Sequence, residues 1–379
     1  MEPTTTTPIT TVFDATIGGM AIGLSIAVNA VLLGRITCLS EILGGILTFD
    51  QSWFWRVSFQ GGIMVAVFLL KKSFPYAFVI ESVSQPLATW KLAIAGALVG
   101  FGTRLAKGGF SGHAICGVSR RSYRSITFVA IFTCVALLVH WFTTCDGGSV
   151  VNTRNAHWLQ EAFVLRVEPL QSFFTCIKPV FIGLVGVIFV SVKGIQRSVP
   201  SLRFLLPLLV GGYAGYLFAM GVGYSGWMRW LSNLDGIGNA SVLLLLLLLT
   251  LFPALLLSSS CFYLLQAENY RPILYSHHYI PIELDRVDWQ VIVGAICFGW
   301  GLGWSRMRTL PETLVLQWMG NPYDVGYRVL WIGMVVGMLL YTVCNWLFIA
   351  LCKKKKSKMS SRSSISTSTH QPSPPRSTI

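Results

Sequence analysis

A serine, a histidine and a cysteine stand at 111, 113 and 116 in the stretch "AKGGFSGHAICG" (106–117), interleaved with Gly108, Gly109, Gly112 and Gly117. These residue types suit the holding of a small anion. Ser111 and His113 offer hydrogen-bond donors, and Cys116 offers a polarizable sulfur or a thiolate. Each glycine costs about 1 kcal/mol relative to alanine inside a helix, so the spacing reads as a loop followed by a short half-helix. The first turn of such a half-helix presents unpaired N–H groups and the positive end of the helix dipole. Arg104 and Lys107 precede the glycines and can line an approach for anions; Arg120, Arg121 and Arg124 follow and read more readily as interfacial anchors. The plainer alternative is that His113 caps a local turn and Cys116 packs, and spacing alone leaves both readings open.

The elements that must position these residues are membrane helices. The chain has 379 residues, 53% hydrophobic and 12% charged, with a mean hydropathy of +0.62, more apolar surface than one soluble core of this size buries. No Asp, Glu, Lys or Arg falls within 15–34, 125–145, 204–228, 236–267 or 329–352, and each run is long enough to cross the hydrocarbon, which takes roughly 20 residues. Shorter apolar pieces lie at 57–70, 92–103, 181–192 and 289–305, with flanking cations such as Lys91 and Lys193 able to snorkel. About nine crossings are expected. The formal charge of +14 fits loop and tail cations that orient helices and meet anionic lipid; no basic stripe on a soluble domain points to nucleic acid. No cleavable signal peptide is expected, because "MEPTTTTPITTVFDAT" lacks a basic start.

Three regions follow: an N-terminal tail at 1–14, a membrane transport domain at 15–352, and a Ser/Thr/Pro-rich tail at 353–379, basic at its start, expected to be disordered and cytosolic. Within the domain a polar middle loop at 146–170 separates a first half (15–145) from a second (171–352). Each half carries a glycine-spaced helix, a polar break and a short apolar half-helix. Interrupted segments in matching positions of two halves are the best sequence pointer to a transporter's central site. The expected fold is therefore all-α and integral to the membrane, with about nine transmembrane helices, short re-entrant half-helices and two pseudo-symmetric halves.

The run "GFGTRLAKGGFSGHAICGVSRRSYRSI" resembles the signature of the YeeE/YedE sulphur transport family, approximately G-F-G-x-R-L-x-x-G-C-T-S-G-H-G-x-C-G-x-x-R-x-S-x-R-S. Matches include Arg104, Ser111, Gly112, His113, Cys116, Arg124 and Ser125. "GRITCLSEILGG", "YSGWMRWLSNLD" and "GAICFGWGLGWS" are similar to further family segments. The resemblance implies import of thiosulfate through half-helices that meet near the midplane, with cysteines passing the ion by weak S–H contacts. Two departures stand out. Gly109 occupies a position where the family has cysteine, and "RTLPE" replaces C-P-G-P-A, placing Arg308 near a second cysteine position. Cys38 supplies a thiol where the family more often has glycine.

The reading is a non-enzymatic, multi-pass membrane transporter for a small sulfur-containing anion, thiosulfate first. Cys38, Arg104, Ser111, Gly112, His113, Cys116 and Arg308 form the substrate-binding set. No cofactor and no metal are expected, since the cysteines show no C-x-x-C pattern and His277 and His278, being adjacent, do not share a helix face. Membrane lipid is an expected partner, and a sulfurtransferase that receives the cargo is a candidate one. Plasma membrane and an organellar membrane fit equally. Two alternatives come from other classes: a membrane thiol enzyme or sulfur-carrier module charged as a persulfide on Cys116, and a degenerate scaffold that works through its basic tail.

Overall fold

The computed structural model describes residues 12–49, 53–73, 89–145, 178, 181, 184, 185, 201–224, 240–267, 288–304 and 325–367. Among these, all regular structure is helical. The elements are α1 (Val12–Val28), α2 (Leu39–Leu47), α3 (Trp53–Ser73), α4 (Thr89–Leu105), α5 (Tyr123–Cys145), α6 (Ser201–Tyr224), α7 (Ala240–Ala267), α8 (Trp289–Trp304) and α9 (Val325–Thr367). Two wide helical turns with longer hydrogen-bond spacing join them, Asn29–Leu33 after α1 and Ser111–Gly117 between α4 and α5. α9 continues past the tail boundary expected at 353 as far as Thr367.

Of the described residues, Ala15–Leu33, Trp53–Leu70 and Arg328–Ala350 are long and apolar enough to cross a membrane. Shorter apolar runs lie at Tyr123–Val139, Pro207–Gly223, Leu248–Tyr263 and Trp289–Leu302. Nine crossings are expected from the sequence, and three meet the demand of length and composition here. The outward faces agree with an apolar surround: Phe68, Phe142, Phe252 and Trp346 are all exposed, as are Leu137, Leu138, Leu256 and Leu340. A water-soluble surface does not carry so much contiguous apolar area. The protein is a membrane protein.

Because lipid tails are as apolar as leucine, helices in a bilayer associate by close packing rather than by escape from water, and small residues let their backbones approach. That rule fixes the pairing. A Cβ on Gly62 of α3 would strike the carbonyl of Gly212 in α6, and one on Gly215 would strike that of Phe59. Gly96 and Gly100 of α4 sit in the same way on the carbonyls of Leu330 and Met334 in α9. Gly19 and Gly23 of α1 meet Thr250 and Ala254 of α7, and Gly299 of α8 meets Phe132 of α5. α1 also packs on α6, with Gly221 against Gly18 and the Ser25 hydroxyl donating to the Ala214 carbonyl at 2.6 Å; α4 packs on α8 through Gly102 and Gly294.

These registers set directions. Residue numbers rise together across α3–α6, α1–α7 and α4–α9, and in opposite senses across α1–α6 and α4–α8. Contact of Arg124 with Asp288 and of Phe132 with Gly299 makes α5 and α8 parallel. The ends of α1 and α4 meet, so α1, α4, α7 and α9 run one way and α3, α5, α6 and α8 the other. Two rows result, α3–α6–α1–α7 and α9–α4–α8–α5.

Adjacent glycines in α3 test the packing argument. Gly61 has open space where a Cβ would go, whereas Gly62 is against backbone. Gly61→Ala is expected to hold or raise the thermal midpoint, since alanine favours helix by up to about 1 kcal/mol. Gly62→Ala is expected to lower it, by about 1–3 kcal/mol of overpacking. Equal midpoints in detergent would refute the pairing of α3 with α6.

Candidate functional site

Two helix breaks meet at one end of the bundle. In the first, α1 widens over Asn29–Leu33 and stops at Gly34, whose φ of 63° and ψ of 27° lie in the left-handed region that glycine tolerates best. The Gly34 N–H closes on the Ala30 carbonyl at 3.1 Å, and the chain then runs without helical bonds until α2 begins after an extended Cys38. In the second, α4 ends at Leu105, Lys107 takes a left-handed φ of 59°, and the wide helix Ser111–Gly117 follows. This is the loop and short half-helix that the glycine spacing predicts.

The breaks hydrogen-bond each other. The Leu39 N–H, at the start of α2, donates to the Ser111 hydroxyl at 3.2 Å, and the Cys116 thiol donates to the Thr37 carbonyl at 3.3 Å. Gly112 faces Cys38 so closely that a Cβ there would lie 2.6 Å from the Cys38 sulfur. The backbone N–H groups of Gly109 and Glu41 are directed at the same sulfur, and the Ser40 hydroxyl lies 3.2 Å from it. A Cβ on Gly109 would come within 2.9 Å of the Ser40 oxygen. Cys38, Ser111 and Cys116 are all buried. The arrangement surrounds two thiols with backbone and hydroxyl donors, a lining that suits a polarizable anion.

Cations ring this centre. The Arg104 guanidinium lies along α2 where Gly44 lacks a side chain, and that of Arg56 lies beside Gly45 while donating to the Glu41 carbonyl at 3.3 Å. Arg35 sits over the Trp55 ring, 5.2 Å from its centroid. Arg308 lies outside the described residues.

His113 takes a different part from the one its type suggests. Its Nε2 is 3.3 Å from the Ala106 carbonyl and its Nδ1 is 2.9 Å from the Ser125 hydroxyl. A carbonyl only accepts, so Nε2 carries the hydrogen, and in the neutral ring Nδ1 accepts from Ser125. The ring lies against Phe128, with centroids 4.3 Å apart. In this geometry both nitrogens are occupied, and no donor is left for an anion. The imidazole instead clamps the end of α4 and the start of α5 to the wide helix. Arg124, expected as an interfacial anchor, reinforces the clamp by donating to the same Ala106 carbonyl at 3.2 Å.

The sequence reading thus brings Cys38, Ser111, Gly112 and Cys116 together, with Arg104 beside them. It missed Thr37 and Ser40, which line the first break, and Asn29, whose side-chain amide donates to the Thr37 hydroxyl at 2.8 Å from complete burial. A polar Asn29 inside the apolar run "SIAVNAVLL" was the available signal, because such residues are costly in a membrane helix unless they serve a purpose.

Ser125→Ala tests the clamp. Leaving the buried Nδ1 without its partner is expected to cost about 1–3 kcal/mol, read as a lower thermal midpoint, and to raise maleimide labelling of Cys116 in membranes. An unchanged midpoint with unchanged labelling would show that His113 does not hold the segment.

Two proteins of Xylella fastidiosa, each named a probable transporter, are similar to this chain. That of strain Temecula1 is 38% identical over 117 residues, which cover 31% of this chain and 83% of the relative. That of strain 9a5c is 37% identical over 117 residues with the same coverage. No family model matches the chain. No solved structure matches it.

Proposed function

The chain belongs to the same family as these two probable transporters of Xylella fastidiosa, and we propose that it is itself a transporter whose cargo, read from the site, is a small sulfur-containing anion, thiosulfate first among them. The observation that carries the reading is the convergence of Cys38, Ser111 and Cys116 from two broken helices at one buried point. Thiosulfate is large, polarizable and weakly hydrated for a dianion, so S–H and N–H donors hold it without trapping it, as conduction requires. Arg104 and the neighbouring cations raise the local anion concentration.

The departure at Gly109 fits the same reading. Its N–H points at the Cys38 sulfur, so a thiol from the first break stands where the resemblance to the YeeE/YedE family places one on the second. The path needs a sulfur at this point rather than at that residue. Arg308, outside the described residues, is proposed as the second-half electrostatic contact on the strength of the sequence alone.

Helix directions support two halves of inverted topology, 15–145 and 171–352, joined through 146–170. Exchanging α1 with α6, α3 with α7, α4 with α8 and α5 with α9 reverses every direction and maps every principal pairing onto another or onto itself. The nine crossings expected from the sequence fit this arrangement. The site end carries Arg35, Arg56, Lys107, Arg120, Arg121 and Arg124, and α9 runs toward it into Lys353–Lys356, so this end faces the cytosol by the preference of cations for that side.

Uptake of radiolabelled thiosulfate into proteoliposomes tests the proposal. Saturable uptake is expected, with Cys38→Ala and Cys116→Ala each lowering it about tenfold, the equivalent of one hydrogen bond of roughly 1.4 kcal/mol. Arg308→Ala is expected to raise the half-saturation concentration. No uptake above empty liposomes by well-folded protein would overturn thiosulfate as cargo.

A further inference from the structure

Glu41 is a charged group that the anion path does not need and that sits in its midst. It occupies the first turn of α2, three residues beyond Cys38, and is partly buried. Positions 41, 44 and 45 share one helix face, and on that face the guanidinium groups of Arg104 and Arg56 fill the space left by Gly44 and Gly45. The charges that act on its carboxylate come from several neighbouring segments, Arg56 of α3, Arg104 and Lys107 around the end of α4 and Arg124 of α5, and Glu41 in turn acts on the Cys38 thiol of its own segment. An ionised Glu41 and an anion beside Cys38 are therefore like charges about one helical turn apart.

We propose that Glu41 is the proton-accepting group of a coupled transport cycle, so that the anion enters with the Glu41 carboxyl protonated and the two are carried together. This rests on the anion reading above. The step is a proton transfer alone: the carboxylate takes H⁺ from water, becomes a neutral acid, and removes a negative charge from beside the incoming anion. Binding is reciprocal, so an anion that binds better to the protonated form pulls a proton onto Glu41 by the same factor. The sign is fixed by charge. Lower pH favours the neutral acid and tightens anion binding; higher pH restores the carboxylate and weakens it.

Thiosulfate binding to the purified full chain, measured across that pH range, is the test. For one linked proton the dissociation constant of the wild type is expected to rise with pH by at most about tenfold per unit. Glu41→Gln is expected to bind thiosulfate with no slope, and as tightly at the alkaline end as the wild type does at the acid end. A pH dye in weakly buffered solution is expected to report about one proton taken up per thiosulfate bound by the wild type. Glu41→Asp should keep that proton and Glu41→Gln should lose it, with thermal midpoints confirming that both variants fold. Saturable binding that is flat with pH, or the same slope in Glu41→Gln, would overturn the proton coupling and leave the anion site standing. No binding by folded wild type at any pH would overturn both.

Discussion

Backbone that leaves a helix inside an apolar surround has no water to hydrogen-bond with, and here two such breaks satisfy one another. The first unpaired N–H of α2 finds the Ser111 hydroxyl, the Thr37 carbonyl finds the Cys116 thiol, and the Ala106 carbonyl at the end of α4 takes both His113 and Arg124. Each break is tolerable only because the other is beside it. The thiols and hydroxyls of the proposed site are the same groups that satisfy the broken backbone, so the segment cannot be loosened without exposing unpaired backbone at its centre.

Holding two breaks at this distance requires the helices around them to be unusually close. Glycines at Gly96, Gly100, Gly211 and Gly215 place backbone directly on backbone, and the phenylalanine cluster of Phe128, Phe132 and Phe298 fills the space between α5 and α8, with ring centroids 5.1–5.6 Å apart. Dispersion over such contacts, rather than hydrophobic burial, is what a bilayer leaves available. The clamp at His113 is anchored in that aromatic layer through Phe128, which ties the position of the half-helix to the packing of the bundle.

Much of this was legible in the residues. Glycine density marked both breaks, because glycine is costly in a helix and necessary where the chain turns left-handed or another backbone comes close. Ser111 and Cys116 marked the candidate site by type, and the charge-free runs announced apolar helices. The role of His113 was not legible, since its two partners stand seven positions before it and twelve after it and only the fold brings them to opposite edges of one ring. Pairing was hidden for a similar reason: a glycine face says that some backbone approaches, and says nothing of which. The same holds for Arg104, read from the sequence as lining an anion approach, and for Arg56: nothing in their spacing told that both lie along α2.

The pairing order bears on how the chain is made. α1 leaves the ribosome long before α6 and α7, on which its glycine faces pack, and α3 likewise precedes α6. Early in synthesis these faces have only lipid to meet, and the broken segment after α1 must be shielded before Ser111 exists to complete it. Assembly is therefore a late event. Truncated products would present unfinished helices to the quality-control machinery of the membrane rather than a folded half, and the two rows would close together once the last helices arrive.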